Sequence, residues 1–137
     1  MANLALVTAN RCRIVESLEQ MTLPGIVAEG LAAGDAVRID TTTGRWTKAN
    51  GSSAGEARIY GVLTNSDNGI NWTAIRRGVV DGFDLDDQDY DEAIYLSNTD
   101  GTLADTAGST SVVVGRVIPG TGVTLGTAYD KLLLINL

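Results

Sequence analysis

Short runs of alternating apolar and polar residues, separated by turn sequences, make up most of this chain. Apolar residues two positions apart are typical of β-strands with one buried face. Turn sequences such as TTTG and SNTDG interrupt the runs at short intervals. The pattern predicts strands over 25–29, 35–40, 45–49, 57–63, 72–80, 92–97, 101–104, 111–118 and 130–136. Many short strands at this spacing favour a single compact all-β sandwich or barrel with little helix.

One of the predicted hairpins occurs twice. Residues 35–46, DAVRIDTTTGRW, align without a gap to residues 92–103, EAIYLSNTDGTL. Each copy alternates apolar and polar residues and then closes a polar turn with a glycine, which adopts a positive φ at little steric cost. Chance similarity between two hairpins is the alternative, but several matches at one offset favour an internal hairpin duplication.

The similarity between the two copies continues downstream. IYGVLTNSD (59–67) follows the first hairpin and VVGRVIPGT (113–121) follows the second. Both segments place a glycine, Gly61 or Gly115, inside a strand of branched apolar residues. Such a glycine indicates a bulge or a close approach between backbones.

Residues 1–23 have a pattern of their own. Ile14, Leu18 and Met21 fall at helical spacing, which allows a short helix over 14–21, but the alternation around them favours strands or an extended arm. We therefore predict an amino-terminal arm or strands over 1–23, followed by a β-barrel or β-sandwich domain over 24–137.

Composition supports one domain without a disulfide. A chain of 137 residues suggests a single domain, and its only cysteine, Cys12, cannot form an internal disulfide. A lone cysteine is most often a small buried apolar residue. The amino terminus lacks the features of a secretion signal, and no run approaches the ~20 apolar residues of a membrane span.

The charge of the chain argues against nucleic acid and anionic membrane as partners. Ten basic residues against seventeen acidic ones give a net charge of −7. Binding to phosphate backbones needs a basic face. The one adjacent pair, Arg76 and Arg77, would point to opposite faces of a strand and so would not form a patch by itself.

The chain lacks the residues that most catalytic mechanisms need. Histidine is absent, which excludes histidine-based acid–base catalysis, Ser-His-Asp triads and imidazole metal sites. We therefore expect neither an enzyme nor a cofactor.

The densest group of carboxylates lies in DLDDQDYDE (84–92). It could hold Ca²⁺, but it does not match the EF-hand loop, since the sixth position is Asp89 rather than glycine and the twelfth is Tyr95 rather than glutamate. We expect a solvated acidic loop between two strands. An enzyme using these carboxylates is a remote alternative.

Trp46 and Trp72 are the two largest aromatic residues. We expect them to fill the core or a subunit interface. The alternative is that they stack on sugar rings, which would make the protein a carbohydrate-binding β-sandwich.

The order of the motifs resembles a known family. AEGLAAGDAVRIDTTTGRWTKA, ARIYGVLTNSD, RRGVVDGF, DEAIYLSNTDGTL, VVVGRVI and LLLINL follow one another over about residues 24–137. Together they resemble the small bacteriophage capsid decoration proteins, also called head-stabilising or cement proteins, of the β-tulip or β-barrel kind. The segment DLDDQDYD departs from the simpler turn expected there.

The resemblance implies a structural virion protein. Such a protein is made in the bacterial cytoplasm, binds the outer surface of an expanded capsid, often as a trimer, and clamps neighbouring major capsid subunits. A tail-tube or baseplate β-module is the alternative within the virion.

Two sets of residues carry our expectations about partners. The apolar amino-terminal segment with its two arginines is expected to contact the capsid through Leu4, Leu6, Val7, Arg11 and Arg13. The carboxyl-terminal strand is apolar on both faces, so it is either a central strand or one completed by a neighbouring subunit. For a homotrimer we expect the interface at Leu132, Leu133, Leu134 and Ile135.

Overall fold

The computed structural model describes residues 2–66, 68–120 and 131–137, and these fold as one compact all-β domain. Its nine strands are β1 (Arg13–Pro24), β2 (Ala36–Ile39), β3 (Trp46–Lys48), β4 (Gly61–Leu63), β5 (Asn71–Asp81), β6 (Ala93–Leu96), β7 (Leu103–Ala104), β8 (Val113–Pro119) and β9 (Lys131–Asn136). They form one curled antiparallel sheet, a half-barrel. The predicted fold class is confirmed.

Two predicted strands differ from the structure. Residues 25–29 contain a 3₁₀ turn, Val27–Glu29, because the Glu29 carboxylate turns back to accept a hydrogen bond from the backbone N–H of Lys48 at 3.0 Å. The strand predicted over 57–63 begins only at Gly61. The predicted strand starts inside a turn, in which the N–H of Ala57 donates to the carbonyl of Ser53, and residues 58–60 lie outside β4.

The two halves of the chain have the same topology, as the duplication predicts. The strand order is β3-β2-β4-β5-β9-β8-β6-β7, which reads as two four-strand units joined between β5 and β9. In the first unit the hairpin of β2 and β3 pairs through β2 with β4, and β4 pairs with β5. In the second unit the hairpin of β6 and β7 pairs through β6 with β8, and β8 pairs with β9. β1 stands outside this repeat and pairs with β5.

The register of the strands is repeated as well. Val37 pairs with Gly61 in the first unit, and Ile94 pairs with Gly115 in the second. The repeat extends to the fourth strands. The residue after each glycine pairs with the fourth strand of its unit, Val62 with Ile75 on β5 and Arg116 with Leu134 on β9. β5 and β9 pair with each other at the centre of the sheet, where a pseudo-two-fold axis relates the halves.

The core lies inside the curled sheet and draws on both units. Its largest fully buried side chains include Trp46, Leu63 and Ile75 from the first unit and Ile94 and Leu133 from the second. Burial of each such side chain contributes roughly 1.5–3 kcal/mol. The described residues contain no helix long and apolar enough to cross a membrane.

Strand β1 runs across the boundary that the sequence suggested at residues 23 and 24. It pairs with β5 along its whole length, from Arg13 opposite Asp81 to Pro24 opposite Asn71. The helix that the spacing of Ile14, Leu18 and Met21 allowed does not form. The amino-terminal segment and the rest of the chain therefore share one sheet.

Candidate partner-binding surface

The first residues of the chain lie against the sheet and are held by backbone hydrogen bonds. The N–H of Leu4 donates to the carbonyl of Leu103 at 2.9 Å, and the N–H of Val7 donates to the carbonyl of Gly82 at 2.7 Å. Leu4 and Leu6 are half-buried and pack on the core. Leu6 fits against Gly34, where an added Cβ would lie 3.1 Å from its methyl groups. These two leucines therefore contribute to the fold.

The other three residues expected to contact a capsid face outward. Val7 is 56% exposed, and Arg11 and Arg13 are exposed beside it. With Asp81 they line an open groove of about 210 Å³. Arg13 makes an ion pair with Asp81 at 3.4 Å, but both side chains are solvated, so the pair is worth at most about 1 kcal/mol. Arg13 can therefore exchange this contact for one with a partner.

The outer edge of β1 continues this surface. Eight consecutive residues, 13–20, are exposed, and no strand in the described part of the chain pairs with this edge. Three apolar side chains stand out along it, Ile14 and Val15 at about half exposure and Leu18 at 72%. We call the outward residues Val7, Arg11 and Arg13, together with Ile14, Val15 and Leu18, the β1 surface.

Irregular pairing shapes the β1 surface. The register between β1 and β5 shifts three times between Ile14 and Gln20. Gly78 on β5 has φ +151°, and an added Cβ there would meet the backbone carbonyl of Glu16. Bulges of this kind strengthen the local twist and limit uncontrolled pairing of a free edge. The edge therefore has a specific shape that a partner would have to match.

Cys12 lies beneath the β1 surface and is fully buried, as predicted. Burial raises the pKa of its thiol to about 12, and the nearby charge of Asp81 adds to the shift. Its backbone N–H donates to the Asn65 amide oxygen at 3.1 Å. The protonated, inaccessible thiol is a packing residue and not a nucleophile.

The residues predicted for an oligomer interface lie in the centre of the sheet. Both edges of β9 are paired, one with β5 and one with β8, so it is a central strand. Leu133 and Ile135 are fully buried in the chain's own core and offer no surface to a partner. Leu132 and Leu134 are half-buried. The unpaired edge that motivated an interface here is absent, while the trimer itself stays a prediction.

The acidic segment 84–92 is a loop with a buried base and a charged exterior. Leu85 and Gln88 are buried, whereas Asp86, Asp87 and Asp89 are exposed. No group of three or more potential metal ligands lies together within the residues that the structure describes. The expectation that this loop does not bind Ca²⁺ stays a prediction.

Both tryptophans lie in the core, as predicted. Trp46 is fully buried and donates its indole N–H to the carbonyl of Trp72 at 2.7 Å, and Trp72 is only 6% exposed. Neither ring presents a face on which a sugar could stack.

The sequence analysis missed Ile14, Val15 and Leu18 as surface residues. Alternation places apolar residues on one face of a strand, but it does not reveal the register shifts of β1. Nothing in the local pattern therefore marked these side chains as exposed.

Comparisons with protein-family models, with curated proteins and with solved structures find no match to this chain.

Proposed function

We propose that this protein is a structural component of a bacteriophage virion, which binds the outer surface of the expanded capsid and clamps neighbouring major capsid subunits. The free, apolar edge of β1 is the observation that carries the proposal. The order of motifs over residues 24–137, which resembles capsid decoration proteins, supports the choice of partner.

The β1 surface suits an extended segment of a shell subunit. A free strand edge offers unpaired backbone donors and acceptors, and an added strand satisfies them while its side chains meet those of the edge strand. Ile14, Val15 and Leu18 supply apolar area for that contact. Arg11 and Arg13 extend it, since guanidinium groups can hold carboxylates through paired hydrogen bonds.

The packing of the domain suits a clamp. Its core is continuous across both halves of the sheet, so the β1 surface rests on a rigid support. The acidic net charge opposes association with nucleic acid and with anionic membranes. In a homotrimer, each contact could be modest because docking of one subunit raises the effective concentration of the others.

Co-sedimentation with undecorated expanded capsids tests the proposal. Leu18→Asp places a charge in the centre of the β1 surface, and because Leu18 is 72% exposed the fold should tolerate it. We expect capsid affinity to fall about tenfold or more, as for loss of a central interface residue. Val27→Asp is the matched control, since Val27 is also apolar and is 85% exposed but lies on the 3₁₀ turn.

The outcomes separate the candidate functions. Binding that L18D abolishes and V27D preserves supports docking through the β1 surface. Absence of wild-type protein from the capsid pellet contradicts the proposal. Imaging of virions carrying a tagged protein distinguishes the remaining alternative, since a tail-tube or baseplate module would place the tag on the tail.

A further inference from the structure

A second surface, which adjoins strand β1 at Glu19, gathers positive charge in this acidic chain. Arg38 on β2, Arg58 before β4 and Arg76 on β5 line one open groove of about 410 Å³ together with Tyr60 and Asp40. Three of the chain's ten basic residues thus meet in one place, where Asp40 is the acidic residue of the lining and Glu19 lies beside Arg76. We call this the arginine groove.

The charges of the arginine groove are only partly satisfied within the chain. Arg76 lies over the Tyr60 ring, 5.3 Å from its centre, and its Nε is 3.8 Å from a carboxylate oxygen of Glu19. Arg38 and Arg58 make no ion pair with any described residue. The Nε of Arg38 is buried and has no hydrogen-bond acceptor among the described residues. Arg58 is exposed, so its guanidinium group is accessible to an incoming anion.

The one carboxylate of the groove is already engaged. Asp40 accepts hydrogen bonds from the hydroxyl and the backbone N–H of Thr43, at 2.8 and 2.9 Å. These bonds hold the pKa of Asp40 below its ordinary value. The carboxylate thus caps its own turn, and the nearby charge of Arg38 adds to the lowering of its pKa. Exposed Arg58 remains open to an external acceptor.

The acidic loop 84–92 carries the complementary charge. Asp86, Asp87 and Asp89 are exposed and form no ion pair with a described residue, whereas Asp91 pairs with Arg116 at 2.6 Å. Buried Leu85 and Gln88 anchor the loop from below. It therefore presents three carboxylates on a fixed base.

The loop cannot reach the groove of its own chain. Lys131, at the start of β9, donates to the carbonyl of Gln88 in the loop, whereas Leu137, just beyond its end, donates to the carbonyl of Arg76 in the groove. The six residue steps between them span roughly 20 Å in an antiparallel strand. The two charged surfaces therefore lie toward opposite ends of the sheet.

We propose that the arginine groove binds the acidic loop of a second copy of this chain, so that copies associate head to tail. A contact between two different surfaces repeats from copy to copy and closes into a ring when the rotation permits. Arg38 and Arg58 receive carboxylates of the neighbouring loop. The contact gives the acidic loop and the arginine groove a role in oligomer formation, which differs from the capsid docking proposed for the β1 surface.

Sedimentation velocity on the isolated protein, without capsids, tests this contact. We expect self-association at about 50 mM salt that weakens at about 500 mM, where the screening length is about threefold shorter. Arg58→Glu should weaken it about tenfold or more, because truncated or reversed charge pairs at interfaces have large effects. The matched control is Arg45→Glu, which makes the same charge change at an exposed arginine outside the groove.

A mixing experiment tests the head-to-tail geometry. The loop variant with Asp86, Asp87 and Asp89 changed to Asn keeps an intact groove, and R58E keeps an intact loop. Each alone should be monomeric, with a melting temperature within a few degrees of wild type, while an equal mixture should form a one-to-one dimer. Wild-type protein that stays monomeric, self-association that R58E leaves unchanged, or a mixture that fails to form the dimer would each overturn the proposal. Loss of capsid binding with self-association intact would instead count against the proposed function alone.

Discussion

Gly61 and Gly115 occupy equivalent positions in the two halves of the sheet, and replacing either with alanine should destabilise the protein. An added Cβ at Gly61 would meet the backbone carbonyl of Ile75 on β5. At Gly115 it would meet the carbonyl of Leu134 on β9, the counterpart of Ile75 in the repeat. In both cases the neighbouring strand occupies the space of the missing side chain.

The loss of stability depends on which atoms would have to move to make room for the added Cβ. Overpacking a core generally costs about 1–3 kcal/mol, less where a flexible side chain can yield. Here the obstacle is the backbone of a central strand, so we expect about 3 kcal/mol for each substitution. For a domain of this length, that corresponds to a fall of roughly 10 °C in melting temperature.

Thermal and urea unfolding followed by circular dichroism measure the loss. The matched control is Gly55→Ala, since an added Cβ at Gly55 meets no atom within 4 Å. The control should stay within about 0.5 kcal/mol of wild type, as surface substitutions do. If Gly61→Ala and Gly115→Ala also melt within about 2 °C of wild type, the close strand contact inferred at both sites is wrong.

The remaining predictions concern the amino-terminal segment. Cys12 should not react with a thiol reagent at pH 8 until the protein unfolds, because it is buried and its pKa is raised from 9.0 to about 12. The folded state holds this proton more tightly, so the stability it contributes is present below pH 9 and is lost as the pH rises toward 12, which urea titrations across that range can detect. Deleting residues 2–10 should lower the melting temperature, since Leu4 and Leu6 pack on the core. A deleted protein that melts like wild type but loses capsid affinity would show instead that the segment only docks.

Local patterns determined the strands and the repeat. Alternation along 92–97 and 111–118 corresponds to β6 and β8, because a strand with one buried face needs an apolar residue at every second position. The aligned hairpins likewise predicted the duplication, and the structure adds that Val37 with Gly61 and Ile94 with Gly115 pair in the same register. The fourth strands of the two units share too few residue types for the repeat to be recognised there.

Long-range contacts decided what local patterns could not. The apolar carboxyl-terminal strand fitted either a central strand or an uncovered edge, and only its pairing with β5 and β8 made it central. Residues 25–29 had a strand-like composition, but the carboxylate of Glu29 reaches β3 and the chain turns there instead.

The surfaces proposed for binding depend on the tertiary structure more than the strands do. Arg38, Arg58 and Arg76 are spread along the sequence, and only the pairing of β2, β4 and β5 brings them to one groove. The exposed edge of β1 likewise depends on its pairing with β5 across more than fifty residues. Side-chain periodicity is a property of neighbouring residues, so the sequence by itself determined most of the strands, though not β1 or the turn at Val27–Glu29. Strand order and register join distant residues, so only the folded chain decided which charges and edges reach the surface together.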